Sequence, residues 1–164
     1  MSTVTVGQKA PHFELKTMEG KAYSLQEALA RGPVLVAFFK VECPTCQYTF
    51  PFVERLYQQF HAQGVQICGI SQDDIRDTQR FAKEYGVTFP VLIDRHPYQI
   101  SRVYGLELVP TLFLIAADGR VELVSDGFAK ADLLEIQQRL AKVFGVNPAP
   151  LFQPRENVPA FKPG

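Results

Sequence analysis

Two cysteines separated by two residues, Cys43-Pro44-Thr45-Cys46, are the part of this chain best suited to do chemistry. They follow the apolar run Val34-Leu35-Val36-Ala37-Phe38-Phe39, which reads as a buried strand. They open an amphipathic stretch, Tyr48 to Phe60, which reads as a helix. A thiol at a strand-to-helix junction lies at a helix N-terminus, where free backbone N–H groups and the helix dipole stabilise a thiolate. The second sulfur lies one turn further in, within reach to close a disulfide. The spacing therefore predicts a redox dithiol.

The elements that must position this dithiol follow from the rest of the pattern. Phe13-Glu14-Leu15 and Ala22-Tyr23-Ser24 flank a turn at Met18-Glu19-Gly20-Lys21 and predict an N-terminal hairpin. Ser24 with Glu27 three residues on is a capping box for a short helix, Leu25 to Ala30. Pro51 is expected to kink the helix behind the dithiol, and Gly64 ends it. Val65 to Ser71 is the next strand. Asp73 and Asp74 start a helix that runs to Tyr85, with Gly86 as its cap. Pro90 to Ile93 is a strand and Pro97 to Tyr104 a short helix. Val109 to Ile115 and Val121 to Val124 form a hairpin around Asp118-Gly119. Lys130 to Phe144 is the last helix, with Leu133, Leu134, Ile136, Leu140 and Val143 on or near one face. Strands alternating with helices, closed by a hairpin, predict an α/β fold with a mixed sheet.

Residues 1–145 read as one domain. Residues 146–164 read as a tail, with prolines at 148, 150, 154, 159 and 163 and no helical or strand period. Leu151, Phe152, Val158 and Phe161 give this tail apolar anchors, so docking is expected over disorder. The chain has 164 residues, 46% hydrophobic and 21% charged, with 17 basic and 17 acidic side chains. That balance favours neither nucleic acid nor an anionic membrane as partner. The first residues lack a secretory signal pattern and no apolar stretch reaches membrane-spanning length, so a cytoplasmic location is expected. In a reducing compartment a close Cys pair is more often catalytic or metal-binding than structural. No second such pair completes a zinc set around Cys68, His12, His61 and His96, so no metal is expected. Cys68 reads as a small core residue. No Gly-rich phosphate loop appears, so no cofactor is expected beyond a redox-active Cys43–Cys46 disulfide.

The Cys pair after a buried strand, the proline in the helix behind it, and the later Val109-Pro110-Thr111 together resemble the thioredoxin-like superfamily. Gly7-Gln8-Lys9-Ala10-Pro11-His12-Phe13-Glu14-Leu15, Gly69-Ile70-Ser71-Gln72-Asp73 and Phe89-Pro90-Val91-Leu92-Ile93-Asp94 resemble its redoxin branch. That branch holds the peroxiredoxin-like AhpC/TSA proteins and the thiol–disulfide oxidoreductases of the TlpA/ResA type. The resemblance spans roughly residues 7–145. It implies a thioredoxin-like fold: a central mixed sheet flanked by helices, with the hairpin as an N-terminal extension. It implies that Pro110 is a cis-proline beside the dithiol and that Val109 pairs with an incoming peptide. Pro44 and Thr45, between the cysteines, join Val109 as substrate-contacting candidates. The implied mechanism is thiol–disulfide exchange, with Cys43 attacking and Cys46 resolving. The implied partners are protein or small-molecule disulfides, peroxides under the peroxidase reading, and an upstream thiol reductant or oxidant.

This chain departs from the family pattern at the groups that move protons. Glu42 stands where thioredoxins carry tryptophan. Ala37 stands at the buried aspartate of thioredoxins, and Thr49 at the glutamate of the TlpA/ResA type. Glu42, Thr49, Lys40 or water is left to handle the Cys46 proton. A peroxiredoxin-like thiol peroxidase with antioxidant activity is the alternative reading. Its Pro-x-x-x-Thr-x-x-Cys pattern fails here, since Cys43 occupies the threonine position and the nearest downstream arginine is Arg55. A third reading is a non-enzymatic redox-sensing module whose dithiol switches a surface patch or the tail.

Overall fold

The computed structural model of the protein describes residues 2–164. A five-stranded sheet forms its centre, in the order β5-β4-β3-β6-β7. Strand β3 (Val34–Phe39) is the middle strand and is buried along its whole length. Its all-apolar sequence suits both faces: Leu35, Ala37 and Phe39 enter one hydrophobic cluster, and Val34, Val36 and Phe38 enter the other. β4 (Gln66–Ser71) pairs parallel with β3, and β5 (Val91–Ile93) pairs parallel with β4. β6 (Thr111–Ile115) runs antiparallel on the other side of β3, and β7 (Val121–Asp126) runs antiparallel to β6.

On the face of Leu35, Ala37 and Phe39 pack α2 (Pro44–Phe60), α3 (Ile75–Tyr85) and α5 (Lys130–Phe144). Gly69, opposite Ala37 on the neighbouring strand, leaves room for aromatic rings there. A Cβ at Gly69 would lie 3.3 Å from Phe50 and 3.4 Å from both Phe39 and Phe89. The other face takes α1 (Leu25–Leu29), α4 (Gln99–Val103), Phe13 and Tyr104. The N-terminal hairpin forms as expected from β1 (Glu14–Lys16) and β2 (Ala22–Ser24). Ser24 caps α1 by accepting the Glu27 N–H at 3.3 Å. Asp74 caps α3 by accepting the Asp77 N–H at 2.8 Å, and Gly86 closes it.

Several elements differ from the sequence expectation. α4 starts at Gln99 rather than Pro97, because Tyr98 takes a left-handed backbone (φ 61) outside the helical region. The Asp94 carboxylate caps this helix through the N–H groups of Ile100 (3.3 Å) and Ser101 (2.9 Å). β6 starts at Thr111, two residues later than expected, because the Val109–Pro110 turn precedes it. On α5, Leu133, Ile136, Gln137 and Leu140 form the buried face, while Leu134 (37% exposed) and Val143 (59%) lie off it. No helix among the described residues is long and apolar enough to cross a membrane.

The tail also differs in detail. Residues Pro154–Glu156 form a 3-10 turn. Phe161–Lys162 forms β9, antiparallel to β8 (Phe128–Ala129). A two-residue strand is too short to leave a period in sequence. Leu151 is fully buried in the main core, and Phe152 and Val158 pack against it. Phe161 is no anchor: β9 is held by its backbone, and the Phe161 ring is 57% exposed.

Candidate active site

The dithiol forms the first turn of α2, with the first sulfur at the helix N-terminus as expected. Cys43 is the N-cap, and Pro44 occupies the first helical position, where its missing N–H costs nothing. β3 delivers the motif through the short loop Lys40–Glu42. Cys43 Sγ accepts the backbone N–H of Cys46 at 3.1 Å. A sulfur thus takes the place of the usual capping oxygen, at the positive end of a 17-residue helix. Cys43 is half-buried, whereas Cys46 is fully buried against the core. The two thiols therefore differ in access: only Cys43 meets solvent.

They also differ in electrostatics. Burial pushes the Cys46 thiol up from its ordinary value, and its hydrogen bond to Cys43 pushes it further. The backbone of Lys40 opposes this by hydrogen-bonding Cys46, and the negative charge of Asp73 adds to it. Cys46 is therefore a protonated thiol at neutral pH that donates toward Cys43.

The Val109–Pro110 bond is cis and brings the Val109 carbonyl to the dithiol, where it accepts from Cys43 Sγ at 3.5 Å. Thr45 is half-buried, and its hydroxyl donates to the Pro163 carbonyl at 2.6 Å. Pro44 is exposed at the rim. Cys43, Thr45, Cys46, Val109 and Pro110 are thus brought together. The three proton-handling candidates fare differently. The side chains of Lys40 and Glu42 are exposed, and among the described residues neither is hydrogen-bonded to a sulfur. Thr49 is buried, but its hydroxyl donates back to the Thr45 carbonyl at 2.7 Å and braces the helix turn.

The charged group that does reach the site is Asp73. Its carboxylate accepts the Val41 N–H at 2.8 Å and so fixes the loop that leads to Cys43. Sequence reading assigned it to helix capping, a task that Asp74 performs alone. The available signal was topological. β3 and β4 are parallel and paired up to Phe39 and Ser71, so the loops that follow them lie side by side. Arg55 is committed elsewhere: it pairs with Glu156 at 2.6 Å and donates to the Leu151 carbonyl at 2.9 Å. It therefore does not supply the donor that a peroxide site needs. Cys68 lies fully buried in the cluster on the opposite face of the sheet, where burial pushes its thiol up to about 12. Among the described residues no three His, Cys, Asp or Glu side chains cluster as a metal site would require.

The sheet order, the helix-capping dithiol and the cis-proline opposite it define a thioredoxin-fold dithiol protein. The sequence profile of the AhpC/TSA family matches residues 6–124, and the chain belongs to that family. Two relatives are thiol–disulfide oxidoreductases named ResA. The one from Geobacillus thermodenitrificans is 32% identical over 143 residues, covering 87% of this chain and 80% of its own. The one from Halalkalibacterium halodurans is 32% identical over 142 residues, covering 86% and 80%. A crystal structure from Chlorobium tepidum, assigned as a thiol:disulfide interchange protein DsbE, is 28% identical. It superposes with a TM-score of 0.77 and covers 87% of this chain and 100% of its own. These relatives and the Cys43–Cys46 pair make the chain a thiol–disulfide oxidoreductase rather than a peroxidase or a non-enzymatic sensor.

Proposed function

We propose that Cys43 is the attacking thiolate and Cys46 the resolving thiol of a two-electron exchange with disulfide substrates. Cys43 attacks one sulfur of a substrate disulfide, forming a mixed disulfide and releasing the first substrate thiolate. Cys46 then loses its proton and attacks Cys43. The second substrate thiolate leaves, and a Cys43–Cys46 disulfide remains. The substrate gains two electrons and the dithiol loses them; an upstream thiol reductant returns them by the same steps in reverse. The observation that carries this assignment is the asymmetry of the pair: Cys43 caps the helix and meets solvent, while Cys46 is fully buried behind it. Pro110 and Val109 form the wall opposite, and the Val109 carbonyl accepts from Cys43 while Cys43 is still a thiol, a bond given up when it ionises.

The test is single-turnover exchange of the pre-reduced protein with an aromatic disulfide, followed by thiolate absorbance. Cys43→Ser is expected to lose at least about a hundredfold in rate, leaving only slow reaction of buried thiols. A Cys43→Ser protein that keeps the wild-type rate would move the nucleophile elsewhere. With hydrogen peroxide the reduced protein is expected to react no faster than a free thiol, because Arg55 is held by Glu156.

A further inference from the structure

The side of the site next to Pro110 is occupied by the chain itself. The Pro163 carbonyl accepts from Thr45, inside the Cys-Pro-Thr-Cys motif, at 2.6 Å. Gly164 lies against Val109: a Cβ there would come within 2.5 Å of the Val109 carbonyl oxygen and 2.6 Å of the Leu108 side chain. Opposite, Gly127 has φ +68, and a Cβ there would lie 2.6 Å from the Lys162 carbonyl oxygen and 3.1 Å from the Gly164 nitrogen. Below these contacts β9 pairs with β8, and Lys130 donates its N–H to the Ala160 carbonyl at 3.0 Å. The Lys162 ammonium rests 4.8 Å above the Tyr48 ring. Residues 160–164 therefore bridge the three pieces of chain around the dithiol: the first turn of α2, the Val109–Pro110 loop and the 127–129 segment.

An extended polypeptide that adds its backbone to the Val109 edge needs the space that Gly164 fills. The two cannot be bound together. We propose that residues 160–164 determine specificity, as an intramolecular strap over the peptide-pairing edge that makes the reduced enzyme exchange with low-molecular-weight disulfides in preference to disulfides carried in extended polypeptide. This proposal rests on the assignment of Cys43 and Cys46 above. A depression of about 250 Å³ flanks the motif, lined by Val41, Glu42, Gln47, Asp77, Arg80 and Glu84 and by none of residues 160–164, so the strap leaves that side open to a small disulfide. A polypeptide must first displace the strap, so its apparent affinity falls by the fraction of molecules with the strap released.

The Gly164→Leu variant of the whole chain tests this, because its side chain collides with the Val109 backbone as well as with the Leu108 side chain, and the backbone cannot swing aside as a side chain can. Pre-reduced protein, freed of reductant, is mixed in single turnover with glutathione disulfide and, separately, with a short peptide closed by one disulfide. Gly164→Leu is expected to raise the peptide rate about tenfold and to leave the glutathione disulfide rate within about twofold. An unchanged peptide rate, or an equal rise with both probes, would overturn the strap. A wild-type protein inert toward glutathione disulfide as well would refute the dithiol assignment instead. A second measurement needs no strap substitution. In the Cys46→Ser mixed disulfide with the peptide, amide exchange across residues 160–164 should speed up over the free protein. Unchanged protection there would also overturn the strap.

Discussion

At the residue scale, the chemistry turns on two sulfurs held in unequal surroundings. Cys46 keeps its proton because it is buried and donates to Cys43, so under the proposed mechanism its deprotonation is expected to limit resolution of the mixed disulfide. Burial, the larger cause, persists after Cys43 enters the mixed disulfide. Resolution is therefore expected to speed up about tenfold per pH unit from about pH 7 to 9, as the thiolate fraction of Cys46 grows. Rapid-quench separation of the mixed disulfide from the closed Cys43–Cys46 form would measure this. A rate flat with pH would mean that a protein group takes the proton. Asp73 acts on the same step through its charge and through Val41. Asp73→Asn keeps an oxygen acceptor for the Val41 N–H but removes the charge. It should speed resolution about two- to threefold at neutral pH, and a slower step would instead show that Asp73 carries protons.

At the scale of elements, the tail is the part that sequence revealed least. Its anchors Leu151, Phe152 and Val158 were legible as apolar residues among prolines, since burial follows side-chain chemistry. Its pairing with β8 and its contact with Thr45 were not, because two-residue strands and contacts 118 residues apart leave no local pattern. The bounds of β3 and α5 were legible for the opposite reason: an unbroken apolar run and a sustained helical period mark them. α2 was read from Tyr48 because Cys43 to Gln47 lacks that period, although a proline at the first helical position signalled the true start. Arg55 ties the tail to α2, and its guanidinium holds the Glu156 carboxyl down at about 2, helped by the Gln153 N–H. A carboxyl lowered in the folded state stabilises docking at pH above its unfolded value, about 4.3, and loses that contribution as pH falls toward its folded one. Amide exchange in the 3-10 turn should therefore quicken as pH falls from about 4 to 2, once corrected for the intrinsic pH dependence of exchange. At neutral pH, Arg55→Ala should speed tryptic cleavage after Arg155, and unaltered cleavage would show that the pair does not hold the turn.

At the scale of the whole molecule, the two faces of the sheet divide the cysteines. Cys46 lies in the cluster with α2 and α5, and Cys68 in the cluster with α1 and Phe13. Leu151 joins the first cluster from the tail, so that residues 146–164 share the core behind the dithiol. Leu151→Ala is accordingly expected to cost about 2–4 kcal/mol of global stability in denaturant titration. A loss near zero would mark the tail as a separate, loosely held piece. The central claim concerns which sulfur attacks, and Cys46→Ser tests it most directly. Intact and peptide-mapped mass spectrometry after reaction with one equivalent of glutathione disulfide should find one stable adduct per chain, on Cys43. An adduct on Cys68, or none at all, would contradict it.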